Sequence, residues 1–140
     1  MKKILFLLLL LPLMSMNIKD DKSKFVGKWV GEDKGEIGYF SFDGEGYASF
    51  EMQGQIVGGK EFAFEGHRGQ MTYEVNQRPG TKLYWVDLIF TNLENGKKRK
   101  FLCLANFIDN NKMRFAINFE GSKRPAKFDT ENSIVLKRQK

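Results

Sequence analysis

Lys112-Met113-Arg114-Phe115-Ala116-Ile117-Asn118-Phe119-Glu120 is the stretch that decides the fold. Met113, Phe115, Ile117 and Phe119 fall on one side of an extended chain, and Arg114, Ala116, Asn118 and Glu120 on the other. Successive side chains of a strand point to opposite faces, so this alternation predicts a strand with one face on a core and one in water. The same period sets Phe62 and Phe64 against Glu61, Glu65 and His67, and Met71, Tyr73 and Val75 against Thr72 and Glu74. No sustained 3.6-residue apolar period occurs from Phe25 to Arg138.

On either side of this stretch, short runs rich in aromatic and β-branched residues are separated by turn chemistry, as in all-β proteins. Strands are expected at 25–32, 36–42, 46–56, 61–67, 70–75, 82–92, 99–108, 112–120 and 133–138. Asp43-Gly44, Gly58-Gly59, a break at Gly69, the 76–80 segment, Glu94-Asn95-Gly96 and Asp109-Asn110-Asn111 punctuate them. Hairpin-sized connections favour pairing between consecutive strands. Eight or nine strands in one small domain curl, and closure removes exposed edges. An up-and-down antiparallel barrel is therefore expected over 25–140, with a two-sheet sandwich as its structural rival.

The chain opens with Met1-Lys2-Lys3 and an apolar run to Leu13, followed by Ser15. Two positive charges, a short apolar run and a small residue read as a signal peptide over 1–16, cleaved after Ser15 or Met16. The run is shorter than the roughly 20 residues of a membrane span. A short lead at 17–24 would precede the barrel. Export to the periplasm or the extracellular space follows as an expectation. No cysteine lies near the cleavage point, which argues against lipid attachment there. The net charge of +6 falls to +4 without Lys2 and Lys3. That modest excess favours solubility and weak attraction to anionic surfaces. The lone Cys103 cannot form an intrachain disulfide, so packing alone must hold the fold. Its apolar surroundings, Phe101-Leu102-Cys103-Leu104-Ala105, suit a small buried hydrophobe better than a reactive thiol.

Few residues suggest chemistry. His67 is the sole histidine and is expected on the polar face beside Arg68. One His and one Cys cannot assemble the usual zinc site. Asp87 interrupts Leu83-Tyr84-Trp85-Val86-Asp87-Leu88-Ile89-Phe90. If Leu83, Trp85 and Ile89 face inward, Asp87 is a polar anchor inside the barrel. If Tyr84, Val86, Leu88 and Phe90 do, Asp87 is on the wet side. The second set is more uniformly apolar. Glu32, Asp33, Asp43 and Glu45 lack the alternating spacing of a calcium loop and read as hairpin-tip charges. Lys97-Lys98-Arg99-Lys100, with Lys123-Arg124 and Lys137-Arg138, suits an anionic envelope surface or the protection of strand edges. Export argues against nucleic acid as a partner. No catalytic motif, phosphate loop or dinucleotide fingerprint is present, and no enzyme, cofactor or metal is expected. The 13 phenylalanines are the most suggestive feature. Phe40, Phe42, Phe50, Phe62, Phe64, Tyr73 and Phe115 would either line a pocket for a small hydrophobic ligand or fill the interior themselves.

The two ends of the chain resemble a known pattern. Gly27-Lys28-Trp29 on the first expected strand resembles the Gly-x-Trp mark of lipocalins and related calycin barrels. Arg124-Pro125-Ala126-Lys127-Phe128, followed by Ile134-Val135-Leu136-Lys137-Arg138, is similar to the ending of a family of small bacterial extracellular domains best known from planctomycetes. Those domains also open with Gly-x-Trp and close with Arg-Pro-x-x-Phe and a Leu-Lys-Arg strand. The resemblance implies a barrel, and a cation–π contact of Arg138 on Trp29 that ties the ends together. The chain departs from lipocalins in its shorter length and its want of a cysteine pair. No activity comes with the bacterial family, so the resemblance implies a fold and no reaction. The expected protein is a monomeric, non-enzymatic binder of a small apolar or amphipathic ligand. The alternative is a plugged barrel that binds a protein, glycan or envelope component through its loops.

Overall fold

A computed structural model describes residues 22–31, 37–118 and 123–139. The signal segment 1–16, most of the lead, Glu32, Asp33, Phe119 and Glu120 lie outside the described residues. Ten strands follow in order: β1 (Gly27–Gly31), β2 (Ile37–Phe42), β3 (Ala48–Met52), β4 (Gln55–Gly58), β5 (Phe62–Phe64), β6 (His67–Gln77), β7 (Leu83–Asn92), β8 (Lys98–Asp109), β9 (Lys112–Ile117) and β10 (Ser133–Arg138). All pair antiparallel in one sheet ordered β4-β3-β2-β1-β10-β9-β8-β7-β6-β5. The meander joins its own ends through β1 and β10, with Trp29 opposite Arg138. The two outer edges then approach each other. Tyr73 N–H donates to Gly46 O at 3.1 Å, and Met71 N–H to Gly59 O at 2.9 Å. The result is a nearly closed antiparallel barrel.

The strand count exceeds the expected eight or nine for one local reason. The stretch expected as one strand over 46–56 folds back at Gln53-Gly54, whose φ values are +52° and +82°. Positive φ at both central residues is the hairpin turn whose twist matches the flanking strands. The next turn lies at Glu65-Gly66, with φ of +49° and +81°, so β5 ends three residues before the expected strand end at His67, and the chain reverses ahead of the break expected at Gly69. Gly69 is not that break; it lies within β6. A Cβ on Gly69 would stand 2.9 Å from Phe90 Cε2 and 3.1 Å from Phe62 Cε1. That glycine makes room for two rings.

The inward positions form one continuous apolar core. Phe25, Trp29, Phe40, Phe42, Tyr73 and Phe115 are among its fully buried side chains. Their rings meet edge-on or tilted: Phe25–Phe107 at 4.9 Å, Phe42–Tyr73 at 4.9 Å and Phe40–Phe115 at 4.8 Å between centroids. Burying each such side chain contributes about 2–3 kcal/mol before entropy costs. The polar tips are satisfied. Trp29 Nε1 donates to Phe25 O at 2.8 Å, and Tyr73 Oη to Asp43 O at 2.7 Å. Cys103 is fully buried in this core, and burial pushes its thiol pKa well up against the opposing pull of Arg124.

The two ends of the barrel differ. One end carries the turns at 43–46, 78–82 and 109–111 and is closed by a clasp. Arg138 lies over the Trp29 ring at 4.2 Å. It also donates to Val26 O, to Lys24 O at 2.8 Å and to Asn110 O at 3.2 Å. Gly27, at φ +137°, lets it pass, since a Cβ there would stand 2.8 Å from Arg138 Nη1. The contact implied by the resemblance is thus formed. At the other end lie the turns at 53–54, 65–66 and 93–97, and there β4 and β5 diverge.

Candidate functional site

At the end where β4 and β5 part, the barrel holds a cavity of about 290 Å³. Phe50, Met52 and Val57 come from β3 and β4 on one side; Phe64, Met71, Phe90, Arg99 and Phe101 come from β5 to β8 on the other. The two walls meet through the backbone bonds of Met71 and Tyr73 to Gly59 and Gly46, but no strand ladder joins β4 to β5 among the described residues, so apolar side chains face each other across a gap. Phe50 links the cavity to the packed interior, its ring 5.6 Å from that of Phe40. Phe64 meets Phe90 at 5.9 Å, and Phe62 braces the same Phe90 ring at 5.5 Å. Phe64 is 46% exposed and marks the rim.

Of the aromatic residues singled out as ligand candidates, Phe50 and Phe64 line this cavity. Phe62 stands behind Phe90. Phe40, Phe42, Tyr73 and Phe115 fill the interior below. The sequence reading missed Met52, Val57, Met71, Phe90, Arg99 and Phe101. Arg99 had a legible signal. It lies two and four residues before Phe101 and Cys103, so alternation turns it to the inner face. It pairs in register with Phe90, as Phe101 pairs with Leu88. Its guanidinium rests 5.1 Å from the Phe101 ring centroid, with its surface exposed at the mouth. Lys98 and Lys100 take the alternate, outward positions.

Two turns beside the mouth are joined by His67, whose Nδ1 lies 2.7 Å from Glu94 Oε2. That hydrogen bond is the main cause of the lowered Glu94 pKa. His67 is exposed, as expected of a surface residue. Arg68 meets Glu61 at 3.3 Å.

Asp87 is on the outer face, since Tyr84, Val86 and Leu88 are the buried set of β7. It is nevertheless engaged. Arg124 Nη2 donates to Asp87 Oδ1 at 2.6 Å, and Arg124 Nη1 to Cys103 O at 2.7 Å. The guanidinium also lies 5.5 Å from the Trp85 ring. Arg124 therefore fastens the segment before β10 to the outside of β7 and β8. Pro125 follows it beside a polar groove, and Phe128 is partly exposed. Asp43 serves its own turn: Oδ1 accepts from Glu45 N–H at 3.0 Å and Tyr47 N–H at 2.8 Å.

A second cavity, of about 470 Å³, lies at the clasp end among Lys24, Gln77, Lys82, Tyr84, Phe107, Asn110 and Arg138. It is wider and more polar, and Arg138 and Lys24 within it are already held by structural contacts. Comparison with family models, with curated proteins and with solved structures finds no match to this chain.

Proposed function

We propose that the protein is an exported, monomeric, lipocalin-like carrier that holds one small apolar or amphipathic molecule, without catalysis, in the cavity between β3–β4 and β5–β8. The observation that carries this reading is the cavity itself: about 290 Å³ at the end where the barrel edges diverge, walled by seven apolar side chains and one arginine. Ligand sites are typically concave and mostly apolar with few polar groups, with volumes from roughly 300 Å³ upward. This one suits a small ligand. Phe40, Phe42, Tyr73 and Phe115 pack the interior below the cavity, and the Gly-x-Trp and Arg138 ends support the lipocalin-like assignment. The named acid–base candidates are engaged elsewhere, His67 with Glu94 and Asp87 with Arg124.

The test is calorimetric titration with 1-octanol of the wild-type protein and of Val57→Trp, which places an indole in the cavity. At about −0.5 kcal/mol per heavy atom, a ligand of roughly nine such atoms binds with a Kd near 0.5 mM. The wild type is expected to bind and Val57→Trp not to. No heat in the wild type would sink the reading. Neither tryptophan lines the cavity, so intrinsic fluorescence is a poor reporter.

A second reading, an interaction module with a plugged interior, is favoured by Ile56, 62% exposed on β4. On that reading, a protein, glycan or anionic envelope component would contact the rim and the basic run at 97–100. Binding of such a partner by Val57→Trp as well as by the wild type would support it.

A further inference from the structure

We infer that the molecule held in the mouth cavity is an amphipathic oxyanion: a single apolar tail of about eight carbons with a carboxylate-type head seated on Arg99. This rests on the cavity being a binding site and specifies its ligand class.

Three observations converge. First, Arg99 is the one charged residue in an otherwise apolar lining, and strand alternation compels it inward. An arginine at an apolar rim presents a planar fork of donors suited to a carboxylate. Second, that fork has no hydrogen-bond or ion-pair partner among the described residues; it lies 5.1 Å from the Phe101 ring. Two nearby carboxylates pair with other groups, Glu94 with His67 at 2.7 Å and Glu61 with Arg68 at 3.3 Å. Third, Lys97, Lys98 and Lys100 surround Arg99 in sequence and are exposed. Their charge draws anions towards the mouth and repels cationic amphiphiles. The tail length follows from volume. At roughly 30 Å³ per water-sized group, the cavity of about 290 Å³ holds on the order of ten such groups. A chain of eight carbons fills it with its head at the guanidinium, whereas a much longer one would protrude past Phe64.

The experiment compares octanoate with 1-octanol by calorimetry at neutral pH, on the wild type, Arg99→Gln and Lys98→Gln. Arg99 and Lys98 are exposed, so all three proteins should fold, and matching circular dichroism and Tm verify that. The wild type is expected to bind octanoate about three- to tenfold more tightly than octanol, the range of a partly screened charged hydrogen bond. Arg99→Gln should abolish the preference, bringing octanoate to the affinity of octanol for the same variant, while Lys98→Gln retains the preference. Equal binding of the two ligands by the wild type overturns the inference and leaves the cavity as a site for neutral ligands. A loss in Lys98→Gln as large as in Arg99→Gln overturns it too, since general charge would then explain the preference. Absence of binding by either ligand overturns the reading of the cavity as a site, and the inference with it.

Discussion

Replacing Arg138 by methionine keeps most of the aliphatic bulk of the side chain and removes the guanidinium that closes the barrel. Four contacts go at once: the Trp29 ring at 4.2 Å and the carbonyls of Val26, Lys24 and Asn110. A partly exposed cation–π contact contributes about 1 kcal/mol. Each carbonyl bond contributes roughly 0.5 kcal/mol net, because the released carbonyls lie near water and rehydrate. The total is about 2.5 kcal/mol. For a domain of this size, 1 kcal/mol shifts Tm by about 4 °C, so Arg138→Met should melt about 10 °C below the wild type. Gly27→Ala tests the same clasp from the other side. Its Cβ would stand 2.8 Å from Arg138 Nη1 in a backbone conformation with φ +137°. In the wild type this substitution carries both backbone strain and displacement of the guanidinium. In Arg138→Met it carries the strain alone. The two changes should therefore couple by about 1 kcal/mol in a double-mutant cycle followed by urea denaturation. If Arg138→Met melts within 2 °C of the wild type, or Gly27→Ala costs the same in both backgrounds, the clasp is ornamental and the argument from it fails.

Arg124→Met should destabilise by about 2 kcal/mol in urea, because it leaves the part-buried Asp87 carboxylate and Cys103 O without their donor. Asp87→Asn keeps an acceptor and should cost less; equal losses would refute that ordering. Burial, with the Asp43 charge adding to it, pushes the Tyr73 hydroxyl up to about 12 from 10.0. A raised pKa means the folded state favours the neutral phenol. Its contribution is complete below pH 10 and fades as pH rises towards 12. Stability of the wild type should fall more steeply over that range than stability of Tyr73→Phe, and parallel curves would count against it.

Much of the architecture was legible locally. The inward set Met113, Phe115 and Ile117 of β9 is written in its alternation, and the choice between the two faces of β7 followed from their composition. The extra turns were harder. Gln53-Gly54 and Glu65-Gly66 carry glycine second but a long polar residue first, where asparagine or aspartate would have signalled the turn. Gly69 shows the converse error, because a glycine that yields space to rings and one that reverses the chain look alike in sequence. Arg124 was marked by resemblance, but its partner Asp87 lies 37 residues away, and nothing local links them. The mouth cavity was the least legible feature, since it depends on where two sheet edges stop pairing. Arg99 was hidden by its neighbours: in a run of four cations, Lys97 shares its parity, and only the start of β8 at Lys98 leaves Arg99 as the one on the inner face of the strand.

The allocation of aromatic residues between the two ends of the barrel gives the site its physical basis. At the clasp end, Phe25, Trp29, Phe42, Tyr84 and Phe107 satisfy one another, and Arg138 and the β1–β10 ladder seal them. At the mouth, Phe50 faces Phe64, Phe90 and Phe101 across the gap between β3–β4 and β5–β8, where no strand ladder among the described residues joins β4 to β5, so these rings do not close the same way. Close packing is the default of a protein interior, and apolar side chains left facing a gap forfeit contacts that a ligand restores. The packed end supplies stability that the open end does not need to share. A barrel sealed by aromatic contacts at one end and parted at the other can hold an apolar guest without unfolding to admit it. On the proposed reading, the inward arginine at that opening sets the guest's direction, with its charged end outward.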